Sequence, residues 1–341
     1  MATLREIAER ADVSLATASR VLNGNPSVNE ELASRVIAVA AELGYQKQLL
    51  QHGKRTIAVL LTFANRNISR IRVEQVFSML FVHSIYVTAS RLGYQLVFYF
   101  GSASGELDTT LHRQIAMREF AGALVVGNFA AMEDAYMEHL TMADIPFFCL
   151  SYSPSATGLR HNYVAVDDYR GGYKITKHLL DMGVRRIAHI FGPKLSRDAV
   201  EREKGFKDAC REYGISDESI AYYPGDFGEL SGEESTKKML AKGNIPEAIF
   251  AANDLMAIGA MRALKAHGVK VPDDVRVVGF DDQIVASYVE PGLTTIRNPI
   301  NEIAELATEG LIDEIESPGR KTTQVLIDGD LIIRQSCGAH S

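Results

Sequence analysis

Two pairs of adjacent aspartates, Asp167-Asp168 and Asp281-Asp282, come nearest to acid–base chemistry by residue type and spacing. Side chains of sequence neighbours cannot be assumed to face each other, so neither pair predicts a general acid and base. The chain has no Gly-x-Gly-x-x-Gly, P-loop, Gly-x-Ser-x-Gly or His-Glu-x-x-His motif, and its nine histidines show no metal-type grouping. We therefore expect no catalysis, no metal and no cofactor.

The composition is that of a globular protein with more than one domain. The 341 residues exceed a single ordinary core and predict two or three domains, while 46% apolar and 23% charged residues argue against disorder. No apolar run approaches the ~20 residues that span a membrane. Met1–Glu6 lack the apolar core of a signal peptide, so we expect a cytoplasmic protein. Cys149, Cys210 and Cys337 are scattered, which favours thiols over a disulfide framework.

The charge is unevenly distributed. The chain has a net charge of −7, but residues 1–55 hold seven basic and six acidic side chains. A nearly neutral segment on an acidic body can bind DNA if its cations share one face, although the charge count alone does not predict it. Any prediction of DNA binding must therefore rest on the sequence pattern.

Residues 1–44, called the head here, show a pattern of three short helices. A capping box, Thr3-Leu4-Arg5-Glu6, starts the first helix. Its apolar stripe consists of Leu4, Ile7, Ala8 and Ala11. Ser14 caps a second helix over Leu15–Leu22, and Asn29 or Ser27 caps a third. Two short helices joined by a tight turn and followed by a third are typical of a helix-turn-helix DNA-binding domain.

Two stretches of the head carry a more specific signal. They read Thr3-Leu4-Arg5-Glu6-Ile7-Ala8 and Ala11-Asp12-Val13-Ser14-Leu15-Ala16-Thr17-Ala18-Ser19-Arg20-Val21-Leu22-Asn23. Together they closely resemble the head signature of the LacI/GalR family of transcriptional regulators. The resemblance implies that the second helix lies in the major groove of operator DNA.

The resemblance also implies roles for individual residues. The family's base-reading positions fall on Leu15, Ala16 and Arg20. Arg20 can form a bidentate pair with guanine O6 and N7, whereas Leu15 and Ala16 suit a thymine methyl group. The family's phosphate contacts fall on Thr3, Ser14, Thr17, Ser19, Asn23 and Asn29. Outside this context, Ser14 would be interpreted as a helix cap and Arg20 as a solvated charge.

Residues 45–56 form a linker that departs from the family pattern, because the family's Pro-Asn turn is absent and the segment is shorter. Counting back from Ile57, Leu49 falls where the family's leucine enters the minor groove, with Leu50 as the alternative. A simple linker with Leu49 packed on the body is an equal interpretation.

Residues 57–341, the body, alternate apolar strands with helical stretches. The predicted strands are Ile57–Thr62, Gln95–Phe100, Ala123–Gly127, Pro146–Leu150, Tyr163–Val166, Ile187–Phe191, Ala248–Ala251, Val275–Gly279, Thr294–Ile296 and Gln324–Leu331. This alternation predicts parallel sheets of the doubly wound kind, and the strands are too many for one sheet. The expected fold is an all-α helix-turn-helix head plus an α/β body of two doubly wound lobes.

The body resembles the family's periplasmic-binding-protein-like core over nearly its whole length. The family's connectivity would place residues 57–164 and 296–321 in a first lobe. It would place residues 165–295 and 322–341 in a second lobe. Three segments would then cross between the lobes, which is the arrangement of a hinge.

The resemblance implies an effector site at Arg202, Phe227, Asn253 and Asp281, with Asn65 added from the first lobe. The first four follow predicted strands, where doubly wound folds bind ligands. Carboxylate and amide groups bind hydroxyl pairs, a guanidinium donates a fork, and an aromatic face packs on C–H groups, which suits a sugar. A helix cap or a surface charge is the alternative for each residue.

Two further aspartates and one helix have predicted roles outside the effector site. Asp167 and Asp254 are expected to cap helices. An apolar stripe over residues 76–85 is either the family's dimer face or intramolecular core. It consists of Val76, Met79, Leu80 and Ile85.

These assignments predict a sequence-specific DNA-binding regulator that acts as a homodimer on a pseudo-palindromic operator. We expect a repressor controlled by a small sugar, with a galactoside as one candidate. A sugar phosphate or a purine corepressor remains an alternative effector. A cytoplasmic sugar-binding protein without DNA function is the alternative to a regulator, and the head argues against it.

Overall fold

The computed structural model describes residues 3–22, 28–43, 55–61, 73–100, 109–127, 130–150, 161–243 and 245–339. The head contains α1 (Leu4–Arg10), α2 (Leu15–Leu22) and α3 (Glu30–Glu42). The predicted capping box is confirmed, because Thr3 Oγ1 accepts from the Glu6 N–H and the Glu6 carboxylate accepts from the Thr3 N–H at 2.6 Å. The three helices enclose an apolar core that includes Ile7, Val21 and Ile37.

A six-stranded parallel sheet forms the first lobe. Its strands are β1 (Thr56–Leu61), β2 (Gln95–Phe100), β3 (Gly122–Val126), β4 (Phe147–Leu150), β5 (Asn162–Val166) and β11 (Gln324–Ile327), in the order β11-β5-β4-β3-β1-β2. The helices of this lobe are α4 (Val73–Arg91), α5 (Thr109–Ala116), α6 (Ala130–Met142) and α12 (Ile300–Glu316). The central strand β3 is buried along its whole length, which explains its unbroken apolar sequence.

A four-stranded parallel sheet forms the second lobe. Its strands are β6 (Ile187–Phe191), β7 (Ala221–Pro224), β8 (Ala248–Ala251) and β9 (Arg276–Val278), in the order β7-β6-β8-β9. Its helices are α7 (Asp168–Asp181), α8 (Arg197–Glu212), α9 (Glu229–Ala241), α10 (Asp254–Ala266) and α11 (Ile284–Tyr288). The sequence did not predict β7, a four-residue strand at the sheet edge that ends in a proline, which only an edge tolerates.

Two short strands lie where the chain crosses between the lobes. They are β10 (Thr295–Arg297) and β12 (Asp330–Ile332), which pair antiparallel. The sequence predicted one strand over Gln324–Leu331 and placed residues 322–341 in the second lobe. That assignment is wrong for residues 324–327, since β11 pairs with β5 in the first sheet. Residues 328 and 329 separate the two strands, and a Cβ at Gly329 would lie 2.6 Å from Ile296 Cγ2, so the chain passes close to β10 at this point.

The stripe on α4 divides between core and surface. Ile85 is fully buried in the first lobe, whereas Met79 and Leu80 are 47% and 43% exposed. Val87 extends the exposed apolar face. The core interpretation is therefore right for Ile85, and the outward residues leave a surface available to another chain. Within the described ranges, no helix is both long and apolar enough to cross a membrane.

A buried histidine lies in the core of the second lobe. The His189 ring stacks on Phe206 and Phe250, with ring centroids 4.7 and 4.9 Å away. Its Nδ1 donates to the Phe250 carbonyl at 2.9 Å, and its buried Nε2 meets no partner among the described residues. This pattern requires the neutral ring, and burial lowers the pKa of His189 to about 4.

His189 should make the fold sensitive to acid. An unfolded histidine binds a proton near pH 6.5, whereas the buried ring binds one only near pH 4. Its contribution to stability is therefore complete above pH 6.5 and is lost as the pH falls towards 4, up to about 3 kcal/mol. Urea unfolding of wild type and His189→Phe across this range measures it. The exposed His267→Phe serves as control, and an equal pH dependence in all three proteins would contradict this expectation.

Candidate effector and DNA-binding sites

The second helix of the head has one buried and one exposed face. Ala18, Val21 and Leu22 pack inward, while Leu15 is 52% exposed. Ala16 and Arg20 are also exposed. The three residues predicted to read bases are therefore accessible on one short helix, as a major-groove contact requires.

Most of the described residues predicted to contact phosphates lie at helix starts, and Ser19 lies inside α2. Ser14 Oγ accepts from the Thr17 N–H at 3.0 Å, and Asn29 Oδ1 accepts from the Glu31 N–H at 2.8 Å. Thr3 caps α1, and Ser19 is half-buried on α2. Helix starts favour anions because their N–H groups point outward. The predicted Asn23 and Leu49 lie outside the described residues.

Arg202 on α8 is the centre of the candidate effector site. Its side chain is 2% exposed, and its Nε donates to Asp168 Oδ1 at 2.8 Å. Its Nη1 donates to the Ala252 carbonyl at 2.7 Å. Its Nη2 lies 3.3 Å from Asp281 Oδ1 and 3.8 Å from Asp198 Oδ2. The predicted Arg202 and Asp281 therefore meet, together with Asp168 and Asp198, which the sequence did not assign to an effector site.

The site holds more carboxyl groups than cations. Burial raises the pKa of Asp281 to about 6, although Arg202 opposes the shift. Burial likewise raises the pKa of Asp168, again against Arg202, and raises the pKa of the nearby Asp254. Carboxylates in this position accept hydrogen bonds from hydroxyl groups, and their excess over one guanidinium disfavours a further anion.

Two helices bring these groups together by crossing at glycines. A Cβ at Gly172 on α7 would overlap the backbone of Arg202, and a Cβ at Gly205 on α8 would overlap the carbonyl of Tyr169. Glycine at both positions removes the atoms that would hold the helices apart. The close crossing places Asp168, the first residue of α7, within reach of Arg202.

Phe227 follows β7 and Asn253 follows β8. Both residues already make contacts within the chain. Asn253 Oδ1 accepts from the Met256 N–H at 3.0 Å, and its Nδ2 donates to the Phe227 carbonyl at 2.9 Å. Phe227 has a φ of 66°, an uncommon conformation for a bulky residue, and its ring packs against Gly192. Asn253 therefore holds the strained turn at Phe227, and a ligand role for either residue stays a prediction.

The two aspartates expected to cap helices differ in outcome. Asp167 is confirmed as a cap, because its Oδ1 accepts from the backbone N–H three residues on at 2.8 Å. The interpretation of Asp254 as a cap is wrong, since Asn253 caps α10. Asp254 instead accepts from the Thr295 hydroxyl at 2.5 Å and from the Gln283 N–H at 2.7 Å. It ties the start of α10 to the crossing strand β10.

Sequence reasoning missed several residues of the site. Asp198 lies four residues before Arg202, so the spacing of residues on one helix face was an available signal. Asp168 follows β5, and the strand end was its only signal. Asn298 is 6% exposed and donates its N–H to the Asp281 carbonyl at 3.3 Å, a contact that no local pattern predicts.

An ion pair joins the two lobes beside this site. Arg197, the first residue of α8, places Nη2 2.8 Å from Asp134 Oδ1 on α6. The Arg197 side chain is 6% exposed, whereas that of Asp134 is 38% exposed. Because α6 belongs to the first lobe and α8 to the second, the pair holds the lobes together at one edge. Residues 62–72, which include the predicted Asn65, lie outside the described residues.

Comparison with known proteins agrees with both parts of the structure. Residues 3–48 match the family model described as bacterial regulatory proteins, lacI family, and residues 176–337 match the periplasmic binding protein-like domain. The HTH-type transcriptional regulator CelR of Thermobifida fusca is 30% identical over 98% of each chain. The HTH-type transcriptional regulator GalR of Salmonella typhimurium is 33% identical over 91% of this chain and 88% of its own.

Solved structures show the same architecture over the whole chain. A complex of the transcriptional regulator CelR with cellobiose has a TM-score of 0.72 and 28% identity, and covers 98% of this chain and 100% of its own. A Lac repressor dimer bound to operator and the anti-inducer ONPF has a TM-score of 0.70 and 26% identity, and covers 99% of each chain. The match therefore includes head and body together.

Removing the central guanidinium should destabilise the second lobe. Arg202→Met leaves buried carboxylates without their counter-charge, a change that typically costs about 3–5 kcal/mol. The loss should be smaller at pH 5.5 than at pH 8, because carboxylates with raised pKa values take up protons instead. Urea unfolding at both pH values measures it. Arg211→Met, on the exposed side of the same helix, is the control, and an equal loss in the two variants would refute the central role of Arg202.

Proposed function

Because this chain belongs to the LacI/GalR family of DNA-binding transcriptional regulators, we propose that it is a homodimeric repressor whose operator affinity is controlled by a small, uncharged sugar bound between its lobes. The head supplies the DNA contacts, with Arg20, Leu15 and Ala16 facing bases. The site around Arg202 supplies the effector contacts. Binding to operator DNA supports a cytoplasmic location.

The excess of carboxylates around Arg202 is the observation that favours an uncharged sugar as the effector. Asp168, Asp198 and Asp281 are all within 3.8 Å of one guanidinium, so the site offers many acceptors and one cation. Sugar hydroxyls donate to such acceptors, and each hydroxyl can also accept from the guanidinium. The site therefore suits a ligand rich in O–H groups.

The same charges argue against the alternative effectors. A phosphate adds negative charge beside carboxylates that already share one cation, which costs binding free energy. A purine needs a flat apolar slot, whereas the ring of Phe227 is 5% exposed and packs on Gly192. Among the relatives named above, the CelR structure contains cellobiose, which is also uncharged.

The exposed apolar face of α4 supports the homodimer. Met79, Leu80 and Val87 project from α4, and Leu306 on the neighbouring α12 is 40% exposed. Exposed apolar residues grouped on adjacent helices are typical of a protein interface. A dimer would place two heads on the two half-sites of a pseudo-palindrome.

The effector is testable by thermal unfolding against a panel of neutral sugars, sugar phosphates and purines. We expect one neutral sugar to stabilise the protein by about 2.7 kcal/mol at a hundredfold excess over its Kd. Asp281→Asn should weaken that sugar roughly 10- to 100-fold, because a charge-assisted hydrogen bond is lost. Asp313→Asn, an exposed carboxylate of α12, is the control. A shift with phosphorylated or purine ligands alone would overturn the sugar assignment.

Operator binding is testable at Arg20. Arg20→Ala should weaken specific binding by about 1–3 kcal/mol and relax the preference for guanine at one position of each half-site. Binding to unrelated DNA should change little beyond the loss of one charge. Arg5→Ala on α1, which also removes one exposed cation, is the matched control in a fluorescence-anisotropy titration. Unchanged affinity and base preference in Arg20→Ala would show that this residue does not read a base.

A further inference from the structure

The head contacts the first lobe of its own chain. Met117, directly after α5, is 1% exposed and belongs to the apolar core of the head rather than to that of its own lobe. That cluster contains Val36, Ile37 and Ala40 of α3. Helices α3 and α5 pack against each other at this point. A methionine of the body therefore completes the core of the DNA-binding domain.

A partly buried cation makes the polar half of the same contact. Arg113 on α5 is 12% exposed, and its Nη1 donates to the Leu22 carbonyl at 3.2 Å. The same nitrogen donates to Glu119 Oε1 at 2.7 Å, which anchors the guanidinium in the first lobe. Leu22 is the last residue of α2, where carbonyls lack helical partners and a cation complements the helix dipole. Arg113 therefore caps the helix predicted to enter the major groove.

This contact leaves the DNA-reading surface open. Leu15, Ala16 and Arg20 are exposed while α3 and the end of α2 face α5. The docked head can therefore meet a major groove without leaving the first lobe. A contact that inhibited DNA binding by covering the reading surface would bury these three residues instead.

We propose that Arg113 and Met117 form a docking site that fixes the head on its own first lobe in an orientation ready for DNA. Heads held in place lose less conformational freedom when two of them engage two half-sites. Without docking, each head still reads its half-site, but the dimer binds the operator more weakly. The effect on operator binding rests on the proposed function, whereas the docking itself does not.

The contact also lies on a continuous path to the effector site. The ring of His112 on α5 meets that of His139 on α6 edge to face, with centroids 5.1 Å apart. Helix α6 carries Asp134, the first-lobe partner of Arg197 in the ion pair between the lobes. The docking site is thus two packed helices away from the edge at which the lobes meet.

Met117→Glu in the full chain tests the docking, because it places a charge in the shared core. Met142→Glu, a methionine of the same lobe that is 80% exposed, is the matched control. We expect amide hydrogens of α3 to exchange roughly ten- to hundredfold faster in Met117→Glu, in proportion to the burial that is lost. Operator affinity should fall roughly tenfold or more, since the gain from two linked heads is reduced. Thermal unfolding of the body and its response to the effector should stay as in wild type.

Arg113→Gln, with the exposed Arg118→Gln as control, tests the polar half by the same measurements and keeps the apolar contact intact. Unchanged exchange in α3 for both docking-site variants would overturn the docking. Faster exchange with unchanged or tighter operator binding would overturn the positioning role. If wild type binds no operator, the proposed function fails, and the exchange result still decides the docking.

Discussion

The guanidinium of Arg202 keeps its proton at any pH at which proteins are folded, yet the side chain is 2% exposed. A charge buried to this extent must be neutralised by groups in contact with it, or folding would be too costly. The carboxylates of Asp168 and Asp281 come from the start of α7 and from the segment after β9, so neutralising Arg202 fixes these parts of the chain relative to α8. Helices α7 and α8 cross at Gly172 and Gly205, close to the contact between Arg202 and Asp168.

The aspartates that neutralise Arg202 also give the site its chemistry. They outnumber the cation, and burial raises the pKa of Asp168 and Asp281 because each gains too little from a single guanidinium. Hydroxyl donors would serve the remaining lone pairs without adding charge. The structural need for carboxylates and the proposed preference for a neutral sugar therefore have one cause. Arg113 likewise has two roles, because it joins the head to the first lobe and caps the end of α2.

Local signals made much of the fold predictable. The capping box at Thr3 and the bounds of α2 depend on neighbouring residues, and most strands of the body show as apolar runs between helices. The division of Gln324–Leu331 between two sheets depends on pairing with β5, which is far away in sequence. The partners of Arg202 were only half predictable, because Asp198 shares its helix while Asp168 does not. Nothing in the sequence distinguishes Met117 from other residues at helix ends. Its burial is explained only by its contact with the head.

Each of the three crossings between the lobes contacts α7 or the residues around Arg202. Asp168 follows the first crossing directly, and Asn298 stands in the second, bonded to Asp281. The third is clamped by Lys174, whose Nζ donates to Asp328 Oδ1 and to the Gly329 carbonyl, both at 2.7 Å. At the first two crossings, the residues proposed to contact the effector are thus the same residues that join the lobes, or direct neighbours of those. If these residues bind the effector as proposed, a substitution that changes which ligand is accepted would also change the balance between the lobe orientations, so ligand specificity and basal gene expression would evolve together.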